Sequence, residues 1–131
     1  MQSEAQSAND RQVGGSHYQS GYQHWDFMCD VTDGAYLLGC ASKYVTRWKG
    51  KNGLQDLEKA QHYLQKAKER GVKGQINQET EPSLHKFLAN NPLDPIEAQI
   101  IIDIMCANYD EAVGMIDHLK TQIPNEAKAA G

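Results

Sequence analysis

The stretch Lys43-Tyr-Val-Thr-Arg-Trp-Lys-Gly-Lys-Asn-Gly-Leu-Gln-Asp-Leu-Glu-Lys-Ala-Gln-His-Tyr63 decides the fold. It reads as the end of one helix, a tight turn and the start of a second helix. Gly50 suits a helix C-cap, and Asn52-Gly53 carries turn chemistry. On the first helix Leu37, Ala41, Tyr44 and Trp48 share one face, an apolar stripe for the core. Beside it, at the same helical spacing, run Tyr36, Cys40, Lys43 and Arg47. On the following helix Leu57, Ala60, Leu64 and Ala67 form the buried face, flanked by Asp56, Lys59 and Tyr63. A short connection makes the two helices antiparallel neighbours. Their flanking stripes then predict one polar cleft walled by Lys43, Arg47, Asp56, Lys59 and Tyr63.

Amphipathic helices commonly carry Lys and Arg at the core edge with solvated heads, so a cationic stripe alone does not make a site. The charge distribution adds weight. Between Lys43 and Lys73 nine basic residues face only Asp56, Glu58 and Glu69, a local balance of +6. The rest of the chain holds four basic and fourteen acidic residues, a balance of −10 within a total of −4. A positive element on an acidic protein suits a small anionic ligand better than a long nucleic acid, whose backbone the acidic remainder repels.

With 131 residues the chain has the size of one domain. No apolar run approaches the ~20 residues of a membrane span, and the polar start predicts no signal peptide. Cys29, Cys40 and Cys106 include no Cys-x-x-Cys pair, which points to a reducing cytoplasm with Cys40 and Cys106 as small core residues.

Residues 1–12 are polar and expected to form a mobile arm, and residues 125–131 a disordered tail. Residues 13–124 are expected to form one helical domain. Val13-Gly-Gly-Ser-His-Tyr18 offers close backbone approach, and Tyr22–Asp30 is an aromatic segment expected to pack over the helices. Asp30 or Thr32 is the expected N-cap of a helix running to about Lys49; the next helix spans about Leu54–Arg70 and stops at Gly71. A hairpin module over 13–71 is followed by a linker over 72–79 and C-terminal helices over 80–124. In that last part Thr80 and Asp94-Pro95 read as helix starts, and Asp110 as the cap of the last helix. Strand signals are absent. The expectation is an all-α, compact bundle of about five helices built on an N-terminal hairpin.

No Gly-x-x-x-x-Gly-Lys-Ser/Thr and no Gly-x-Gly-x-x-Gly is present, so a cofactor held by such a motif is not expected. The five histidines show no ligand spacing, and no metal centre is expected.

Val13-Gly-Gly-Ser-His-Tyr18, His24-Trp25-Asp26, Lys43-Tyr44, Arg47-Trp48-Lys49, Asp56-Leu57-Glu58-Lys59-Ala60 and His62-Tyr63-Leu64 occur in that order. Over about residues 11–70 this series resembles a small tailed-phage protein family of formerly unknown function whose members often carry the label (deoxy)nucleotide kinase. The resemblance implies a phage protein in the infected host's cytoplasm. Some relatives convert deoxynucleoside monophosphates to diphosphates without a P-loop. A nucleoside triphosphate would then be the donor, with Mg²⁺ accompanying the nucleotide.

Because phosphoryl transfer depends mostly on positioning and charge stabilisation, an Arg and Lys cluster can stand in for a P-loop. On that reading Lys43, Arg47 and Lys59 take phosphate oxygens, and Lys49 and Lys51 steer anions from the rim. His17 is the candidate proton-transfer group or phosphate donor. Gly15 and Ser16 contact the nucleotide, Tyr18 and Trp25 stack on a base, Tyr63 lines the cleft, and Asp56 orients Arg47 or Lys59 or accepts from sugar or base. Two other readings use the same residues differently: a non-catalytic nucleotide binder that sequesters a host signalling nucleotide, and an inhibitor of a host enzyme. Self-association is also expected, to cover Trp25, Trp48, the tyrosines and the isoleucine-rich helix at residues 96–105, with His62 facing a partner subunit.

Overall fold

Tyr22–Asp30, expected to lie over the helices, is helical itself in the computed structural model: α1 spans His24–Thr32. The structure describes residues 6–11, 13 and 21–123. Helix α1 starts with a reciprocal cap in which the Asp26 carboxylate accepts from Gln23 N–H at 2.9 Å. Asp33 and Gly34 then both adopt left-handed backbone, with φ of 57° and 84°, and α2 (Ala35–Arg47) begins. The single helix expected from Asp30 or Thr32 to about Lys49 is therefore two helices. A β-carbon on Gly34 would lie 2.4 Å from Val72 Cγ2, so only glycine fits where the chain turns against that side chain.

A 3₁₀ turn, Trp48–Gly50, ends α2. Gly50 is the last residue of that turn rather than a helix cap; the reversal is made at Gly53 (φ 57°), whose N–H donates to Trp48 O at 2.9 Å. Helix α3 (Leu54–Glu69) follows and stops before Gly71, as the sequence predicts. The chain continues through α4 (Glu81–Ala89), α5 (Pro95–Met105) and α6 (Tyr109–Thr121), which makes six α-helices among the described residues. Asp94 and Glu97 form a capping box around Pro95. The last helix is entered through Asn108 instead of Asp110, after Ala107 turns the backbone at φ 60°.

The α2–α3 hairpin is the centre of the bundle, with α5 against α2 and α6 against both α3 and α5. Leu38, Val45, Leu57, Leu64, Ile100 and Ile104 are fully buried there. Trp48 Nε1 donates to Glu97 at 2.8 Å, and Gln61 Nε2 donates to Asp117 at 2.8 Å, which tie α5 and α6 to the hairpin. Residues 72–79, expected as a linker, are docked by two bonds: Tyr109 Oη donates to Val72 O (2.5 Å) and Gln75 N–H to Met105 O (2.7 Å).

Residues 6–11, part of the expected arm, lie against α3. Ala8 is fully buried, its N–H donating to the Glu69 carboxylate (3.0 Å) and its carbonyl accepting from His62 Nε2 (2.7 Å). His62 is thus covered by its own chain and not left for a partner subunit. Trp25, Trp48, Ile100, Ile101 and Ile104 are likewise buried within one chain, whereas Tyr22, Phe27 and Val31 are exposed on and beside α1. Cys29 is the buried thiol; Cys40 is half-buried and Cys106 exposed, contrary to the expected core role of Cys106. The remaining arm residues and the expected tail lie outside the described residues.

A buried ion pair locks α1 onto α3. Lys66 Nζ lies 2.5 Å from Asp26 Oδ1, Arg70 Nη1 donates to the same oxygen at 3.0 Å, and Asn9 Nδ2 donates to Oδ2 at 3.1 Å. Burial pushes the Asp26 carboxyl up, but the bonds from Lys66, Gln23 N–H and Asn9 outweigh it and hold its pKa at about 2. A depressed carboxylate stabilises the fold above its unfolded pKa and loses that contribution as pH falls through the folded value. Asp26 should therefore contribute about 2 kcal/mol at neutral pH, lost between about pH 4 and pH 2. Lys66→Met should cost roughly 3 kcal/mol at pH 7, because it strips a buried charge of its main partner. Urea unfolding at pH 7 and at pH 3 checks both values.

Gly34→Ala should destabilise by roughly 2–4 kcal/mol, from left-handed backbone and overlap with Val72. Adding Val72→Ala should recover the overlap part only, which denaturant titration of the double variant reads directly.

Candidate functional site

Lys43 and Arg47 lie one turn apart on α2, and Lys59 faces them from the second turn of α3. All three reach the same ring. Lys43 Nζ, Arg47 Cζ and Lys59 Nζ stand 5.0, 5.2 and 5.6 Å from the centroid of Tyr44. The cation–π attraction at such distances is modest, about 0.5–1 kcal/mol each at exposed sites. It gathers three like charges on one surface.

Asp56 is the carboxylate of this group and is fully buried in the first turn of α3. Its Oδ2 accepts from Arg47 Nε (3.3 Å) and from Asn52 N–H (3.1 Å), while Oδ1 has no hydrogen-bond partner among the described residues. Among the described residues no carboxylate pairs with Lys43 or Lys59. The predicted cleft-wall residues therefore do come together, except that Asp56 lies beneath the surface with no exposed oxygen to offer a ligand.

Tyr63 is half-buried and stacks on Tyr44 with centroids 5.9 Å apart, while Trp25 and Tyr36 meet it edge-on at 5.4 and 6.4 Å. Burial, with Cys40, Tyr36 and Tyr44 close by, pushes its phenol pKa far up, so Tyr63 stays protonated and serves as packing or a neutral donor. Tyr44 itself, read from the sequence as core, is the residue that organises the cations. The signal available was its place on the border between the apolar and cationic stripes.

Other assigned residues lie elsewhere. Trp25 is buried, its Nε1 bonded to Asn9 Oδ1 at 2.7 Å and its ring next to His62 and Lys66, so it offers no open face to a base. Lys49 is paired with Asp94 and lies 3.4 Å from Glu97, which neutralises it as a rim charge; Asp94 also raises its pKa. Lys51 is exposed in the α2–α3 connection. Gly15, Ser16, His17 and Tyr18 lie outside the described residues. No group of three or more His, Cys, Asp or Glu able to hold a metal occurs among the described residues, and no helix there is long and apolar enough to cross a membrane.

Like charges at Lys43 and Arg47, four residues apart on one helix, repel. Lys43→Gln relieves about 0.2–0.5 kcal/mol of repulsion but gives up a cation–π contact of about 0.5–1 kcal/mol, so stability should fall by a few tenths of a kcal/mol, and by more at high salt, where the repulsion is already screened. Thermal melts at two ionic strengths measure this.

A family model described as a protein of unknown function, DUF3310, matches residues 13–65. The matched stretch holds α1, α2 and most of α3, hence the whole Tyr44 cluster. No curated protein and no solved structure matches the chain.

Proposed function

We propose that the protein binds an anionic nucleotide on the α2–α3 face, with phosphate oxygens at Lys43, Arg47 and Lys59. The observation that supports this is the convergence of those three cations on Tyr44 with Asp56 as the carboxylate held against them, itself buried under Arg47. Unmatched charges of one sign cost folding energy, and a phosphate group offsets that cost while filling the donors. The half-buried rings of Tyr36 and Tyr63 and the exposed imidazole of His24 continue from the cluster toward α1, an aromatic run suited to a base.

The finer form of the proposal is a phage deoxynucleoside monophosphate kinase without a P-loop, acting in the host cytoplasm with a nucleoside triphosphate as donor and Mg²⁺ carried by the nucleotide. Its support is the sequence resemblance together with the cationic cluster; His17 remains its proposed proton-transfer group. Sequestration of a nucleotide without turnover is the second reading. It is favoured by the burial of Asp56, which leaves that carboxylate unable to meet an incoming hydroxyl or metal ion.

Incubation of the purified protein with each deoxynucleoside monophosphate and a triphosphate donor, followed by product separation, decides between them. Diphosphate formation selects the kinase, tight binding without product selects sequestration, and neither removes the nucleotide reading. Arg47→Ala should weaken nucleotide binding about tenfold or more with helicity intact, since a charge-assisted hydrogen bond contributes about 1.5–3 kcal/mol. Unchanged affinity in calorimetry would sink the assignment.

A further inference from the structure

We infer that Asp56 is a positioning residue that presents the guanidinium of Arg47, and does not itself touch the ligand. This rests on the nucleotide-binding reading of the α2–α3 face. Asp56 Oδ2 takes only the Nε–H of Arg47, at 3.3 Å, and neither terminal nitrogen of that guanidinium has a hydrogen-bond partner among the described residues. A guanidinium is planar by delocalisation, and one held by its Nε has the edge carrying both Nη groups fixed in direction for a two-point contact with a phosphate or carboxylate. The Arg47 side chain is 35 % exposed whereas that of Asp56 has no exposure, so only the arginine end of the pair opens to solvent.

The fold alone gives little reason for a charge here. Capping Asn52 N–H requires one acceptor oxygen, and Oδ2 supplies it. The second oxygen is buried without a partner among the described residues, an arrangement that a stability-driven sequence would avoid. The favourable place of a carboxylate in the first turn of α3 contributes to its retention, but that contribution is independent of Arg47. The two roles separate in substitutions.

Simple electrostatics predicts that removing a negative charge beside an anion site tightens binding. Positioning predicts the opposite for Asp56→Ala. Asp56→Asn keeps an acceptor oxygen in the same place and should retain most of the affinity. With inorganic triphosphate and a deoxynucleoside monophosphate as probes, Asp56→Ala should bind about tenfold more weakly than the parent, and in an Arg47→Ala background it should cause no further loss. Arg47→Lys, which keeps the charge but not the planar fork, should also lose about tenfold and does not depend on Asp56→Ala folding. Tighter or unchanged binding by Asp56→Ala, equal loss in both backgrounds, or parent-like binding by Arg47→Lys overturns the proposal. A measurement without ligand stands beside these. The Arg47 Nε–H resonance should exchange slowly in the parent and Asp56→Asn, and rapidly in Asp56→Ala. If the parent binds neither probe, the nucleotide reading falls, while equal Nε–H exchange in all three proteins would overturn the positioning role by itself.

Discussion

Gly34 meets Val72 with no space for a β-carbon, and the arrangement of the N-terminal half depends on that contact. Val72 is itself fixed, because its N–H donates to Ala67 O at the end of α3 and its carbonyl accepts from Tyr109 of α6. The turn between α1 and α2 is thereby pressed against a point where two other segments meet. Without the break, α1 would extend α2 as one rod and point away from α3. With it, α1 folds back, and Trp25 and Asp26 arrive next to His62, Tyr63 and Lys66. Asn9 then joins Trp25, Asp26 and Lys66 in one bonded group, which docks the turn at Ala8–Asp10. A steric constraint at one glycine thus becomes a polar lock across three segments.

The same folding-back redistributes charge. Nine basic residues lie between Lys43 and Lys73, and in space four of them meet carboxylates from elsewhere in the chain. Lys66 and Arg70 meet Asp26 and Asp30, Lys49 meets Asp94 and Glu97, and Lys68 meets Asp110. Each of those carboxylates comes from outside the basic stretch. What persists unpaired among the described residues of the hairpin is Lys43, Lys59 and the outer half of Arg47, with Lys51 exposed in the α2–α3 connection. Exposed pairs such as Lys68–Asp110 contribute little to stability. Their effect is on the field, since each pair sets a negative charge beside a basic residue of this stretch.

Features set by local chemistry were legible in the sequence. Asp94-Pro95, Gly71 and the two stripes of the hairpin follow from caps and helical spacing, and they placed Lys43, Arg47 and Lys59 on facing edges. The break at Asp33-Gly34 carried a local turn signal that the apolar spacing overshadowed, but the steric demand for glycine there comes from Val72, a residue beyond the end of α3. Trp25 looked available for stacking since its partner, Asn9, sits in a segment whose composition resembles a disordered arm. Tyr44 was assigned to the core because it keeps the period of Leu37, Ala41 and Trp48; spacing cannot say which member of a stripe ends at the rim. The burial of Asp56 was equally hidden, as a carboxylate in a first helical turn is ordinarily solvated.

Phosphate sites built from a glycine-rich loop use backbone N–H groups whose directions the chain itself fixes. A site built from side chains must restrain them by other means, since Lys and Arg each carry about 2 kcal/mol of rotamer entropy. Two restraints are present on the α2–α3 face. The Tyr44 ring, held by its stack on Tyr63, collects the three cationic heads, and Asp56 fixes the inner edge of Arg47. Both restraints straddle the hairpin: Tyr44 and Arg47 come from α2, and Tyr63, Lys59 and Asp56 from α3. The spacing of the cations is therefore set by the packing of the two helices and not by a loop. A change in that packing, even deep among Leu57, Leu64 and Val45, alters the distance between Lys59 and the α2 pair, so the hydrophobic contact of the hairpin and the geometry of its charged face are one property.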